Sequence, residues 1–248
     1  MYIFFRFVWV YSPIFVTFVD DNITDALMNK WMWRRLNSLG YGVQSPNDFY
    51  FVQHVLREKM PYYAYTALEE VAHSYGDRLP CYPGVVNRLL FRLANYVHPE
   101  HLVEVGAGAS LMAMAMACPA ARCVGITSDR ACGDTLRQLL ATHPCAEVKS
   151  GDEMAVFCNL LNEMGTIGML HIAHTTHYRE IMDAALPHMA DRALVVIEDI
   201  ASSKEKQDWW KRLRESQETG TCYDLGNVGL LCLDHARHKE NYWINLRR

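Results

Sequence analysis

The residues able to do chemistry in this chain cluster at the ends of apolar runs. Glu104-Val105-Gly106-Ala107-Gly108-Ala109-Ser110 closes one such run and opens a helical one. Glycines at that turn let a ligand approach the backbone, and the helix start offers free N–H groups to the ligand's polar end. Gly106, Ala107 and Gly108 are therefore candidate ligand contacts, although two glycines also serve a tight turn that binds nothing. Asp129 and Asp152 stand in turns after two further apolar runs. Each is a candidate acceptor for ligand hydroxyls or an N-cap for the helix behind it. Glu198-Asp199 ends another run, at the edge where open α/β sheets place their ligands, and Asp199 is the candidate general base. His171, His174 and His177 recur at intervals of three. Imidazoles are common zinc ligands. His171, however, falls inside a strand pattern and His177 at a helix start, so the expectation is polar groups at a pocket mouth, with no metal site. Trp209-Trp210 lies among Lys204, Lys206, Lys211 and Arg212. On a helix, one Trp is expected against the sheet and the charged residues on the solvated outer face.

The elements that must position these groups follow from rhythm. From residue 28 to about 97 the apolar spacing is helical, as at Phe49, Val52, Val55 and Leu56. From Pro99 onward, strand patterns at 102–105, 123–127, 146–149, 167–173 and 193–198 alternate with helical ones at 110–117, 130–142, 152–164, 178–189 and 204–217. Five strands joined by crossover helices predict a doubly wound parallel sheet. The ending differs: two apolar runs flank Gly226-Asn227, which is the turn chemistry of an antiparallel hairpin.

Composition narrows the class. Half of the 248 residues are hydrophobic and 21% are charged, which supplies a core and excludes disorder, collagen, a coiled coil and a polytopic membrane protein. A net charge of -4 offers no general attraction to nucleic acid. The eight cysteines are scattered with no CxxC pair, a pattern of buried thiols in a reducing, cytoplasmic compartment. Residues 1–27 open with an apolar, aromatic-rich stretch broken by Arg6 and Pro13. Three readings of it stand open: a stretch foreign to the working protein, an element packed on the domain, or a membrane anchor, the last disfavoured by those interruptions.

The glycine turn and its surroundings resemble the first signature of class I S-adenosylmethionine-dependent methyltransferases. The resemblance extends over Gly42-Val43-Gln44-Ser45-Pro46, Pro61-Tyr62-Tyr63, the 90–96 stretch with Pro99, Glu198-Asp199-Ile200 with Ser203-Lys204, and Asp224-Leu225 with Val228-Gly229-Leu230. These blocks, from about Trp31 to the C-terminus, are similar to a bacterial O-methyltransferase-like family. The resemblance implies a Rossmann-like fold with a mostly parallel seven-stranded sheet, an antiparallel C-terminal hairpin and a helical extension. It divides the chain into 1–27, a helical prefix or lid at 28–98, and a cofactor-binding domain at 99–248. It further implies S-adenosylmethionine at Glu104, Gly106, Ala107, Gly108, Thr127, Asp129 and Asp152, and a small-molecule acceptor methylated on oxygen, with Asp199, His174 and His177 near the chemistry. A homodimer is compatible with it, a membrane role is not expected, and a divalent metal is doubtful. The chain departs from the family at two positions. Thr127 stands where a carboxylate usually takes the ribose hydroxyls, and Ala173 stands where an Asp usually follows the fourth strand. These departures keep a second reading open, a catalytically silent protein that retains the fold for binding or regulation.

Overall fold

The computed structural model describes residues 30–80, 84–234 and 238–246, so the expectations for 1–27 lie outside the described residues. Among the described residues, four helices come first: α1 (Lys30–Ser38), α2 (Pro46–Phe51), α3 (Ala64–Tyr75) and α4 (Gly84–Val97). Ser45 caps α2 by accepting the Asp48 N–H, with Pro46 in the first turn, where its missing N–H costs nothing. A π-helical turn at Val52–Leu56 continues α2. Arg92 of α4 donates to the carbonyls of Val55 at 2.7 Å and Leu56 at 3.1 Å, satisfying groups that the irregular turn leaves open.

The alternating half follows: β1 (His101–Val105), α5 (Ser110–Ala117), β2 (Arg122–Thr127), α6 (Arg130–Leu139), β3 (Ala146–Ser150), α7 (Glu153–Met164), β4 (Ile167–Ile172), α8 (Tyr178–Ala185), β5 (Met189–Ile197) and α9 (Lys204–Glu215). β6 (Thr221–Asp224) and β7 (Gly229–Cys232) then form the expected hairpin. The strand order is β3-β2-β1-β4-β5-β7-β6-β8, with β1 to β5 parallel and β7 antiparallel to both its neighbours. An eighth strand, β8 (Asn241–Trp243), pairs parallel to β6. It makes the sheet one strand wider than expected, because three residues carry too little periodicity to be read. The helix expected over 178–189 ends at Ala185, and Pro187 sits in a short 3₁₀ turn before β5.

Both faces of the sheet are covered, which is why its strands read as nearly continuous apolar runs. Leu102, Met169 and Leu194 pack with Leu89, Leu93, Leu111, Met114 and Leu136 on one side. Val103, Leu170 and Val195 pack with Phe157, Leu160, Met182, Trp209 and Trp210 on the other. The N-terminal helices share the first of these cores. Asp48 accepts from the hydroxyls of Tyr223 at 3.0 Å and Tyr242 at 3.3 Å. Arg34 pairs with Asp224 at 2.6 Å and donates to the Ile244 carbonyl at 3.0 Å, and Ser38 Oγ accepts the Asn245 N–H at 2.7 Å.

Candidate functional site

The chain leaves β1 toward β2 and β3 on one side and returns to β4 on the other. The carboxyl ends of β1 and β4 therefore flank the topological switch point where doubly wound sheets bind ligands. The glycine turn at 106–110 and the loop at 173–177 meet there. Ala173 N–H bonds the Val105 carbonyl at 2.9 Å and His174 N–H the Gly106 carbonyl at 3.3 Å, carrying the ladder past the strand ends. Gly106 has φ +75, and a Cβ on it would lie 2.5 Å from the His174 backbone. A Cβ on Gly108 would lie 2.3 Å from the Pro80 carbonyl oxygen. Both glycines thus admit neighbouring protein backbone at the turn.

Beneath the turn lies a polar cluster in an apolar layer. Glu104 of β1 pairs in register with His171 of β4, and Glu198 follows β5 on the next strand. His171 Nδ1 is 2.9 Å from Glu104 Oε1 and its Nε2 is 3.2 Å from Glu198 Oε1, with all three residues fully buried. Ser110 Oγ also donates to Glu104 Oε1. Burial on its own pushes the His171 pKa down, but the two carboxylates outweigh it and raise it from 6.5 to about 9, so the imidazole is a cation at neutral pH donating from both nitrogens. Burial raises the Glu198 pKa, opposed by His171. Among the described residues, Glu104 Oε2 and Glu198 Oε2 have no hydrogen-bond donor.

Beside this cluster, at the carboxyl ends of β4 and β5, opens a cavity of about 570 Å³. Ala173, His174, Tyr178, Asp199 and Lys206 line it. Asp199 adopts φ +55, a conformation that Asp tolerates better than most residues. Its Oδ1 accepts from Asn227 Nδ2 at 2.6 Å. Protein crowding lowers the His174 pKa, against the pull of Glu104 and Asp199. Lys206 is only 6% exposed and its ammonium lies 4.7 Å from the centre of the Tyr178 ring. Burial lowers its pKa, with Asp199 and Glu198 pulling the other way.

The expected site residues thus divide. Glu104, Gly106, Ala107 and Gly108 gather at the switch point, and Asp199 and His174 border the adjoining cavity. Asp129 and Asp152 both cap helices: Asp129 Oδ1 accepts from Ala131 and Cys132 N–H, and Asp152 Oδ1 from Ala155 N–H. Thr127, nearly buried at the end of β2, accepts the Asp129 N–H at 3.2 Å. His177 stands exposed at the start of α8, apart from the cavity lining. The three histidines do not converge, and among the described residues no His, Cys, Asp and Glu side chains group as a metal site. Glu153 was not anticipated. Its carboxylate accepts from Ser128 Oγ at 3.2 Å and Thr175 Oγ1 at 2.5 Å, tying the ends of β2 and β4 together across the crevice. Lys206 overturns the expectation of a solvated outer face, because it shares the inward face of α9 with Trp209 and Trp210. The spacing 206, 209, 210, 213 was the signal for it.

This architecture is the fold of class I S-adenosylmethionine-dependent methyltransferases, in the O-methyltransferase-like form. Among similar solved structures is an O-methyltransferase from Bacillus cereus in complex with SAH, at TM-score 0.58 and 15% identity, covering 73% of this chain and 96% of that one. The SAM complex of the O-methyltransferase TomG from Streptomyces achromogenes, involved in tomaymycin synthesis, has TM-score 0.56 and 16% identity over 84% of this chain and 100% of that one. A methyltransferase from Geobacter sulfurreducens has TM-score 0.54 and 19% identity over 71% of this chain and 91% of that one. No family model matches the sequence, and no curated protein matches it. No described helix is long and apolar enough to cross a membrane.

Proposed function

We propose that the chain is a cytoplasmic S-adenosylmethionine-dependent methyltransferase that acts on an oxygen of a small-molecule acceptor. The observation that carries this reading is the juxtaposition at the switch point, where the glycine turn, an orphan buried carboxylate oxygen and the β4–β5 cavity adjoin. The chemistry of the residues fits the cofactor. Glu104 Oε2, without a donor among the described residues, suits the cofactor's α-ammonium. Thr127 and Asp129 at the end of β2 suit its ribose hydroxyls, and Asp152 at the start of α7 its adenine side. When bound, S-adenosylmethionine supplies an activated methyl group, so the chain must orient the acceptor and take up a proton. Within this reading, residues 99–248 form the transferase body, residues 28–98 cover it, and the cavity holds the acceptor, with Asp199 orienting it from the β5 side.

The SAM and SAH complexes among the similar structures support this reading, and so does the fit of the residues around the turn. Calorimetric titration of the full chain with S-adenosylmethionine and S-adenosylhomocysteine is the test. Saturable binding of both is expected, followed by label transfer from methyl-labelled cofactor in a screen of phenols, catechols and carboxylates. Failure of both compounds to bind would overturn the assignment.

A further inference from the structure

We propose that Lys206 takes the proton from the acceptor's hydroxyl, and that the acceptor is therefore a hydroxyl of phenol-like acidity. The inference rests on the methyltransferase reading and assigns a step that the fourth-strand loop, with Ala173 in it, does not supply. Methylation of a hydroxyl forms an O–C bond with an oxygen lone pair, breaks the methyl–sulfur bond and leaves a neutral thioether. The hydroxyl proton must go to a base, which becomes a cation if it starts as an amine.

His174, Lys206 and the carboxylates of Asp199, Glu180 and Glu205 stand on the cavity wall and could receive that proton. His174 stands at the exposed rim. Asp199 is already engaged by Asn227 at 2.6 Å, and carboxylates, those of Glu180 and Glu205 on the same wall included, are far weaker bases than a phenolate and poorly matched to its proton. Lys206 is 94% buried by accessible area and borders the cavity. Among the described residues, its amine meets the Tyr178 ring face and no hydrogen-bond acceptor. A lysine amine has three positions for donors and lone pair, so this one is available to a ligand. Arg179, the other cation of the lining, is neutralised by Glu205 at 2.8 Å. Burial shifts Lys206 toward the free base and so toward the proton acceptor that the step requires, while Asp199 and Glu198 hold part of that shift back. Carboxylic acids are already ionised at neutral pH and need no base. Aliphatic alcohols are too weakly acidic for an amine to ionise, which leaves the phenol class.

The test uses the full chain and two probes, acetic anhydride and para-nitrophenol, with S-adenosylhomocysteine present. Competitive acetylation followed by peptide mass spectrometry across pH reads each lysine's titration. Lys206 is expected to become reactive at lower pH than Lys204 and Lys211, the exposed lysines on the same helix, and to be protected by para-nitrophenol. The bound probe is expected to show phenolate absorbance at a pH where it is half neutral in solution. Lys206→Met and Lys206→Arg, checked by circular dichroism and S-adenosylhomocysteine binding, complete the experiment. Met should lose the phenolate signal and Arg keep it, and both should lower methyl transfer by about a hundredfold, the scale for removing a positioned base. Titration of Lys206 together with Lys204 and Lys211, or phenolate absorbance unchanged in Lys206→Met, would overturn the proposal while leaving cofactor binding intact. Absence of S-adenosylhomocysteine binding would instead remove the reading beneath it.

Discussion

Replacing His171 by Leu removes the one cation that Glu104 and Glu198 share at hydrogen-bond distance. The carboxylates are wholly buried, and breaking a buried ion pair from one side costs about 3 to 5 kcal/mol. The sign of the pH dependence follows from the direction of the shift. The folded-state pKa of His171 lies at about 9, above its ordinary 6.5. A difference of this size corresponds to about 3 kcal/mol of stability. That contribution is complete below pH 6.5 and is lost as pH rises through about 9. Glu198, whose pKa burial raises, also favours the protonated fold, so it does not cancel the trend. The thiols of Cys118 and Cys123, pushed up by burial, add an alkaline decline of their own. In His171→Leu the carboxylates lose the cation that holds the Glu198 pKa down, so the variant starts from a lower stability and carries an alkaline decline of its own. Urea unfolding followed by far-UV circular dichroism should show the wild type losing stability between pH 6.5 and about 9 and the variant less stable than the wild type at pH 6.5, with little response to added salt because the groups are buried. A variant as stable as the wild type at pH 6.5, or wild-type stability that stays flat up to about pH 9, would refute the assignment of a charged His171.

Other outcomes follow from the turn and its neighbours. Gly106→Ala, placed at φ +75 against the His174 backbone, should destabilise the fold by about 1 to 3 kcal/mol, read as a lower urea midpoint, so a larger residue there probes packing as well as binding. Asp129→Ala should lose about 1 kcal/mol of helix-cap energy and weaken S-adenosylhomocysteine binding in calorimetry, whereas Asp129→Asn keeps a capping oxygen and separates the two roles.

Much of the fold was legible because its strands are buried on both faces and its crossovers are helices of ordinary length. The hairpin was legible from Gly226-Asn227 between apolar runs, and the glycine turn from its place between strand and helix. The polar cluster was not, because Glu104 and His171 sit on β1 and β4 and Glu198 directly follows β5, 67 and 27 residues apart in sequence. Only the order β1-β4-β5 and its register bring them together. A polar residue within or at the end of each apolar run was the visible trace. The acids at 198 and 199 end the same apolar run, yet one is enclosed with His171 and the other borders the cavity, a division set by where β5 ends. Asp129 and Asp152 illustrate a different limit: a carboxylate opening a helix satisfies the backbone whether or not a ligand is bound, so its type and spacing carry both roles at once.

The ties from Arg34 to Asp224 and Ile244, and from Ser38 to Asn245, span between 190 and 210 residues of chain. Ordering contacts of such separation carries a loop-closure cost that local helices and adjacent strands escape. During synthesis, the central sheet can pair while α1 holds only its nearby ties from Gln53 and Arg57 to the Ser38 carbonyl, and the ties to Asp224, Ile244 and Asn245 can close only after those residues have left the ribosome. The docking of α1 on this edge of the sheet is then a late lock on the fold, so changes around Ile244 and Asn245 should register 207 to 210 residues earlier, as exposure of the α1 face to protease.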